Sequence, residues 1–372
     1  MKIYIRYFGY FVYLFILWIY ARRNPRQVTV KERIGDRTVT RYNWIFALVA
    51  VAPLVYLAMT RPNTVGDTGS YRNALNTAPS ILSDIPAYVT DMKKDQWFYI
   101  MTAIIKNVFG NNSMIYFFII ASLQSVLLLK TLRKYSSNLL ISLFIFFAAT
   151  DYLSYMNNGV RQFVAVCIVF GAAKYIFEKK YIPAVIVALI AAQFHQTALL
   201  MIPFIFIVQG EPWNKSTVFI LLGALLVVAF VGSFTEILSS MLEETNYSGI
   251  VENWTSWEDD GTNPLRVAVY CVPALLSLLG LHYIREANDP VINVCTNMSV
   301  ISAGLYIISM VTSGIYMGRL PIYVSLFSNC ILLPWEIKSI FTKKSSDFIQ
   351  RAMIVSFLLF YFYQIHIAWV II

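Results

Sequence analysis

Apolar residues occur in long continuous runs along the whole chain, and charged residues are concentrated in the segments between the runs. Many runs approach the roughly 20 residues that a helix needs to cross about 30 Å of hydrocarbon. Lipid offers the backbone no hydrogen-bond partners, so continuous apolar runs are expected to be helices. The pattern predicts about twelve spans, at residues 3–20, 43–60, 113–130, 138–153, 160–178, 181–194, 197–209, 216–233, 264–284, 292–311, 316–334 and 352–370.

Composition supports the same class of protein. The 372 residues are 58% hydrophobic and only 13% charged, whereas soluble domains average roughly 25% charged residues. We therefore expect an all-α polytopic integral membrane protein with a single transmembrane domain over residues 1–372. The first run, Ile3 to Tyr20, lacks a small-x-small cleavage site before Arg22, so we expect it to remain as the first span.

The distribution of charge predicts which loops face the cytoplasm. Segment 22–42 is rich in Lys and Arg, which marks it as cytoplasmic. Segment 234–263 is acidic without Lys or Arg, and segment 61–112 is balanced, so both are predicted external loops. Within the latter, Asp95 to Phe109 is amphipathic and is expected to lie as an interfacial helix. Segment 181–209 is predicted to form two short helices that are broken near His195 and meet at the outer side.

The net charge of +9 does not indicate nucleic acid, because the basic residues lie in loops beside apolar spans. We therefore predict no nucleic-acid partner. The four cysteines fall inside predicted spans, without a CxxC pair or a nearby histidine. They are expected to be buried thiols, so neither a disulfide framework nor a metal site is predicted.

Polar residues between two apolar runs predict an anion site near Arg161. Arg161 offers a planar fork for phosphate oxygens, and a helix that begins here adds partial positive charge. Asn157 is expected to cap this helix, and Gly159 to allow close backbone approach. The alternative is that Arg161 and Gln162 only reach towards lipid headgroups.

Two residues are candidates for proton transfer. His195 lies between Gln193 and Gln196-Thr197, which favours a polar pocket over a satisfied core histidine, and imidazole transfers protons near neutral pH. Asp67 follows Gly66 and is either a turn-forming residue or a catalytic or sugar-binding carboxylate. Other charged residues are predicted at the same outer face, and headgroup contact is the alternative for Arg319: Arg61, Asp95, Arg266 and Arg319.

From Arg61 to Tyr323 the chain resembles the EpsG family of Wzy-type polysaccharide polymerases. The matching pieces are short, and their order and spacing carry the resemblance: Arg61 with Gly66-Asp67 and Tyr71; Asp95 to Phe98; Met156-Asn157 with Gly159 and Arg161-Gln162; Phe194 to Ala198; Asn263 to Arg266; and Arg319 with Tyr323. At Asp95-Gln96 the family more often has Glu-Pro, which weakens a role for Asp95.

The resemblance implies a GT-C-like, metal-independent membrane glycosyltransferase without a cofactor. It would act at the outer face of the bacterial cytoplasmic membrane in O-antigen, capsule or exopolysaccharide synthesis. The growing glycan would pass from undecaprenyl pyrophosphate to a lipid-linked repeat unit, and undecaprenyl pyrophosphate would be released. Implied partners are undecaprenyl-pyrophosphate-linked oligosaccharides, the lipid bilayer, a chain-length regulator and a flippase.

Residue roles follow from the same resemblance. Arg161 would stabilise the leaving pyrophosphate, and either His195 or Asp67 would take the acceptor proton, unless no dedicated base is needed. The alternatives for the whole chain are a ligase of the same chemistry and a lipid-linked-oligosaccharide flippase. Residues expected to bind the pyrophosphate or sugars are Arg61, Tyr71, Asp95, Asn157, Gln162, Arg266, Arg319 and Tyr323.

Overall fold

The computed structural model describes residues 2–23, 27–31, 36–40, 42–90, 92, 94–242 and 261–368. This part of the chain is almost entirely helical, as predicted. The exception within it is an antiparallel hairpin in segment 22–42, in which Gln27–Lys31 pairs with Asp36–Thr40. Most of the predicted acidic loop, residues 243–260, lies outside the described residues.

The chain divides into two compact units. Unit 1 comprises Met1–Ile205 and Thr342–Ile372, and unit 2 comprises Phe206–Phe341. The predicted single transmembrane domain and the external position of loops 61–112 and 234–263 stay predictions.

The longer helices of unit 1 reproduce the apolar runs. Asn43, Asn112 and Asn138 cap three of them by accepting backbone N–H groups of the first turn. The α-helices are Lys2–Arg23, Trp44–Met59, Thr68–Thr77, Ile85–Thr90, Gln96–Phe109, Ser113–Tyr135, Leu139–Ala148, Asp151–Asn157, Val160–Gly171, Lys174–Phe177, Tyr181–Phe194, Met201–Ile207 and Lys343–Tyr363, with 3₁₀ turns at Leu82–Asp84 and Gln196–Leu200 and a π-helical end at Gln364–Ala368.

Two breaks in unit 1 place polar residues at helix ends. The predicted break near His195 is confirmed, because Tyr181–Phe194 ends there and His195 is extended. The run predicted as span 138–153 is bent by 74° between Leu139–Ala148 and Asp151–Asn157. Thr150, at the bend, has a φ of 65°. The second half of that run therefore turns away and carries Asn157 at its end.

Unit 2 is built around the helix Pro290–Val311. Its buried Asn297 accepts the backbone N–H of Trp213 at 2.9 Å and donates to the carbonyls of Val208 and Glu211. These three hydrogen bonds fix the turn that precedes the helix Lys215–Ala229. The helices of this unit are Lys215–Ala229, Val231–Leu242, Pro264–Leu279, Leu281–Ala287, Pro290–Val311, Ile322–Phe327 and Leu333–Ser339, with a 3₁₀ turn at Met317–Arg319 and a π-helical segment at Ser328–Leu332.

Length and composition give four candidate membrane spans among the described residues, or up to seven if each bent helix pair is one span. The four are Ser113–Tyr135, Pro290–Val311, Met317–Ser339 and Lys343–His366. Shorter apolar helices, such as Trp44–Met59, account for part of the difference from the sequence prediction. The predicted number of about twelve and the GT-C-like architecture are not confirmed.

Candidate functional site

Three charged or titratable residues from distant parts of unit 1 meet in one cluster. The carboxylate of Asp95 lies 2.9 Å from Nη1 of Arg161 through Oδ2, and 3.4 Å from Nδ1 of His195 through Oδ1. The side chain of Asp95 is 1% exposed, whereas those of Arg161 and His195 are 33% and 26% exposed. A ligand therefore reaches the cation and the imidazole, while the carboxylate lies behind them.

Each member of the cluster stands at a helix end. Asp95 immediately precedes the helix Gln96–Phe109, Arg161 lies in the first turn of Val160–Gly171, and His195 follows Tyr181–Phe194. The ring of Trp97 packs edge-on against that of Phe194, with centroids 6.1 Å apart. This contact holds the two helices that carry Asp95 and His195 together.

Two tyrosines complete the surroundings of Arg161. Its Nη1 donates to the Tyr99 hydroxyl at 3.2 Å. The buried Tyr71 packs edge-on against Phe98, with ring centroids 5.8 Å apart. Burial raises the pKa of Tyr71, and the positive charge of Arg161 partly opposes that rise. The phenol of Tyr71 therefore stays neutral near neutral pH and acts as a hydrogen-bonding group.

The environment keeps Asp95 ionised. Burial alone would raise the pKa of this carboxyl, but the adjacent imidazole of His195 and the charge of Arg161 outweigh burial and lower the pKa below its ordinary value. The cluster therefore combines a buried anion with a partly exposed cation and an imidazole.

Arg61 forms a second cationic group in unit 1. It is only 3% exposed, its guanidinium carbon lies 3.8 Å from the Phe117 ring centroid, and Nη1 donates to Oδ1 of Asn157 at 3.2 Å. Its Nε and Nη2 have no hydrogen-bond partner. Burial lowers the pKa of Arg61 to about 10, so it remains charged at neutral pH. Arg72 donates to the backbone carbonyl of Arg61 at 3.0 Å.

Asn157 and Asn158 make structural hydrogen bonds that the sequence did not predict. The expected capping role of Asn157 is wrong, because Asn157 ends the preceding helix and Gly159 holds the cap position without a side-chain bond. Asn157 instead accepts from Arg61. Oδ1 of Asn158 accepts the backbone N–H of Asp67 at 2.9 Å.

Gly66 makes the contact between Asp67 and Asn158 possible. Its φ is +50°, and a Cβ at this position would lie 2.7 Å from the side chain of Asn158. A larger residue would be strained in its backbone and would collide with the asparagine. The exposed Asp67 is therefore held at the surface by its backbone, and its carboxylate makes no capping bond to the helix that follows.

Gln162 contributes a long contact from Nε2 to the Thr197 hydroxyl at 3.5 Å. It connects the helix of Arg161 with the 3₁₀ turn that follows His195. Thus eight of the eleven predicted residues lie on neighbouring elements of unit 1: Arg61, Asp67, Tyr71, Asp95, Asn157, Arg161, Gln162 and His195.

Unit 2 carries the remaining three predicted residues. The backbone N–H of the buried Thr262 donates to the carbonyl of Ser309 at 2.8 Å. A Cβ on Gly318 would lie only 2.6 Å from the hydroxyl of Thr262. This close packing brings the start of helix Pro264–Leu279, which carries Arg266, to the turn that ends at the exposed Arg319. Tyr323, in contrast, is 1% exposed.

Sequence patterns missed several residues that hold the site. Tyr99 lies one helical turn after Asp95, a spacing that could have indicated it. Phe117, Arg72 and Asn158 gave no comparable signal, because each acts through a contact with a distant part of the chain. Among the residues that the structure describes, no group of three or more His, Cys, Asp or Glu side chains could hold a metal ion.

The fold and this site define a helical membrane protein with a cluster of charged and titratable residues at helix ends. The model of the EpsG family matches residues 44–369. The chain belongs to this family of bacterial membrane proteins, whose members are Wzy-type polysaccharide polymerase-like proteins. Neither a curated protein nor a solved structure matches the chain.

Proposed function

We propose that this protein is a polysaccharide polymerase of the bacterial cytoplasmic membrane, with its active site facing the exterior. It transfers a growing glycan from undecaprenyl pyrophosphate to a hydroxyl of a lipid-linked repeat unit. The observation that carries this proposal is the pairing of a partly exposed Arg161 with a partly exposed His195 on one buried carboxylate, in a chain of the EpsG family.

Arg161 stabilises the leaving group in this reaction. The bond between the anomeric carbon and the pyrophosphate oxygen breaks, and its electron pair stays on that oxygen. A guanidinium offers phosphate two parallel N–H groups. Asp95 neutralises part of the charge of Arg161, while the buried Arg61 and the neighbouring Arg72 add positive potential. Arg266 and Arg319 are proposed to bind phosphate oxygens of the lipid-linked substrates.

His195 takes the proton. The acceptor hydroxyl forms the new bond to the anomeric carbon, and its proton passes to Nε2 of His195. Nδ1 faces Asp95 at 3.4 Å, so Nε2 is the nitrogen left for the acceptor. Asp67 is the rival base, since its carboxylate is exposed. Departure of the pyrophosphate ahead of proton loss would remove the need for either.

Deletion of the gene separates the proposed polymerase from its alternatives. A strain without a polymerase should make no polymer and should accumulate a single repeat unit on its lipid carrier at the outer face. A strain without a ligase would accumulate long glycan on the carrier. A strain without a flippase would retain the repeat unit at the inner face. Either of the last two results would overturn the proposal, provided that the intact gene restores the wild-type pattern.

A further inference from the structure

We propose that Asp95 is a positioning residue whose two carboxylate oxygens fix the tautomer of His195 and the orientation of Arg161. Its catalytic consequence rests on the proposed function, whereas its effect on the imidazole does not. The family resemblance implied instead that Asp95 binds pyrophosphate or sugar.

Accessibility argues against direct contact between Asp95 and a substrate. Its side chain is 1% exposed, and its two oxygens face Arg161 and His195. Both of those residues are partly exposed. A substrate hydroxyl or phosphate therefore meets the imidazole and the guanidinium first, and Asp95 acts through them.

The local backbone leaves the carboxylate available for this task. An aspartate at a helix start ordinarily accepts N–H groups of the first turn. Asp95 stands at the start of Gln96–Phe109, but its side chain makes no such bond. Its backbone is left-handed, with φ 59° and ψ 31°, a conformation that Asp adopts more readily than most residues. In this conformation the carboxylate faces Arg161 and His195 instead of the N–H groups of its own helix.

The contact with His195 selects one tautomer. A neutral imidazole carries one N–H, and a carboxylate beside Nδ1 favours the proton on that nitrogen. Nδ1 then donates towards Oδ1 of Asp95, and Nε2 keeps the lone pair that a base needs. Without the carboxylate, the ring is free to carry its proton on Nε2, where it cannot accept another.

The other oxygen of Asp95 orients Arg161. Nη1 of Arg161 lies 2.9 Å from Oδ2 and also donates to the Tyr99 hydroxyl at 3.2 Å. The guanidinium is thus held by an ion pair with Asp95 and a hydrogen bond to Tyr99. The charged and titratable groups that act on the carboxylate are His195 and Arg161, and Tyr71 and Tyr99 lie beside Arg161.

Nitrogen-15 NMR of the full chain in nanodiscs tests the tautomer without any substrate. The protein has three histidines, so loss of a signal in His195→Gln assigns that of His195. At alkaline pH, where imidazole is neutral, the wild type should show a protonated Nδ1 and an unprotonated Nε2. Asp95→Asn should populate the Nε2-protonated form. A wild-type ring protonated mainly on Nε2, or one unchanged by Asp95→Asn in folded protein, would overturn the proposal.

Kinetics with lipid-linked repeat unit, extracted from a strain that lacks the gene, test the catalytic consequence. Asp95→Asn should lower turnover by about 10²-fold or more with little change in KM, which approaches the loss from His195→Gln. In the His195→Gln background it should add at most a few-fold, through the changed orientation of Arg161, because the loss through His195 has already occurred. Asp84→Asn, an exposed carboxylate of the same segment, is the matched control. Independent, multiplicative losses would contradict action through His195.

The two experiments distinguish two kinds of failure. An extract without polymer in every variant would refute the proposed function but leave the NMR result standing. If the wild type makes polymer but its His195 ring is protonated mainly on Nε2, only the positioning role is refuted. Asp95→Glu, which keeps the charge on a longer side chain, should retain more turnover than Asp95→Asn if the carboxylate matters through its charge.

Discussion

Arg61 donates from Nη1 to Oδ1 of Asn157 at 3.2 Å, which joins two polar motifs that are 96 residues apart in the chain. Asn157 in turn donates to the carbonyl of Leu153 at 2.8 Å, so its orientation is fixed by its own helix. The contact places a buried, unneutralised guanidinium behind the segment that leads to Arg161. A buried charge interacts more strongly than a solvated one, and Arg61 is therefore proposed to contribute to the positive potential of the site.

Replacement of Arg161 by Ala should reduce polymer synthesis by at least about 10²–10³-fold, because the leaving pyrophosphate loses charge-assisted contacts. Arg161→Lys should restore only part of the activity, since an ammonium cannot supply the planar fork. The measurement is glycan chain length in cells with matched protein levels. Arg285→Ala, which changes an exposed arginine of unit 2, is the control. If Arg161→Ala makes as much polymer as the wild type, Arg161 serves only to contact lipid headgroups.

Replacement of His195 by Gln should lower turnover by about 10²-fold or more while substrate binding is retained, the usual contribution of a positioned base. The acidic limb of the pH–rate profile should disappear with it. Asp67→Asn is the matched test of the rival residue and should stay within a few-fold of wild type. The opposite pattern would exchange the two roles, and mild effects from both would indicate a reaction without a dedicated base.

Stability should depend on the ionisation of Asp95. Because its folded-state pKa lies below the ordinary value, its stabilising contribution is present above about pH 4 and is lost as pH falls through the folded pKa. Wild type should therefore have a higher Tm than Asp95→Asn at neutral pH, by an amount that corresponds to about 1–3 kcal/mol. The difference should narrow in acid. A difference that is independent of pH would show that charge is not its source.

The predicted topology can be tested with single cysteines in a variant whose four native cysteines are replaced. Cysteines in segments 22–42 and 338–350 should resist an impermeant thiol reagent in intact cells, because their Lys and Arg residues mark them as cytoplasmic. A cysteine at Glu258 should react. Permeabilised cells provide the control for reactivity. Reaction of the 22–42 cysteine in intact cells would contradict an external site.

Much of the helical structure follows directly from apolar runs. The helix that ends at His195 was predictable, since segment 181–209 is long for one helix and short for two spans. The bend at Thr150 was not, because its left-handed backbone depends on the surrounding packing. Hydropathy alone also did not predict the hairpin before Trp44 or the number of candidate spans.

The site was only partly predictable for a related reason. Charged residues in an apolar chain identify candidates such as Arg161 and His195. Which candidates pair with each other depends on contacts over long sequence separations. Asp95 therefore looked like one more external carboxylate, and Asn157 like a helix cap. The Phe117 ring packs against the guanidinium of Arg61, and Asn158 contacts Asp67. Neither contact could be predicted from a periodic pattern in the sequence.

The most direct measurement is conversion of lipid-linked repeat unit by the purified protein. Incubated in detergent or nanodiscs with repeat unit from a strain that lacks the gene, the wild type should produce a ladder of longer lipid-linked glycans and release undecaprenyl pyrophosphate in step with each added unit. Arg161→Ala, purified in the same way, should leave the substrate as a single repeat unit. Unchanged substrate with well-folded wild-type protein, or an equal ladder from Arg161→Ala, would contradict the proposed polymerase and its site.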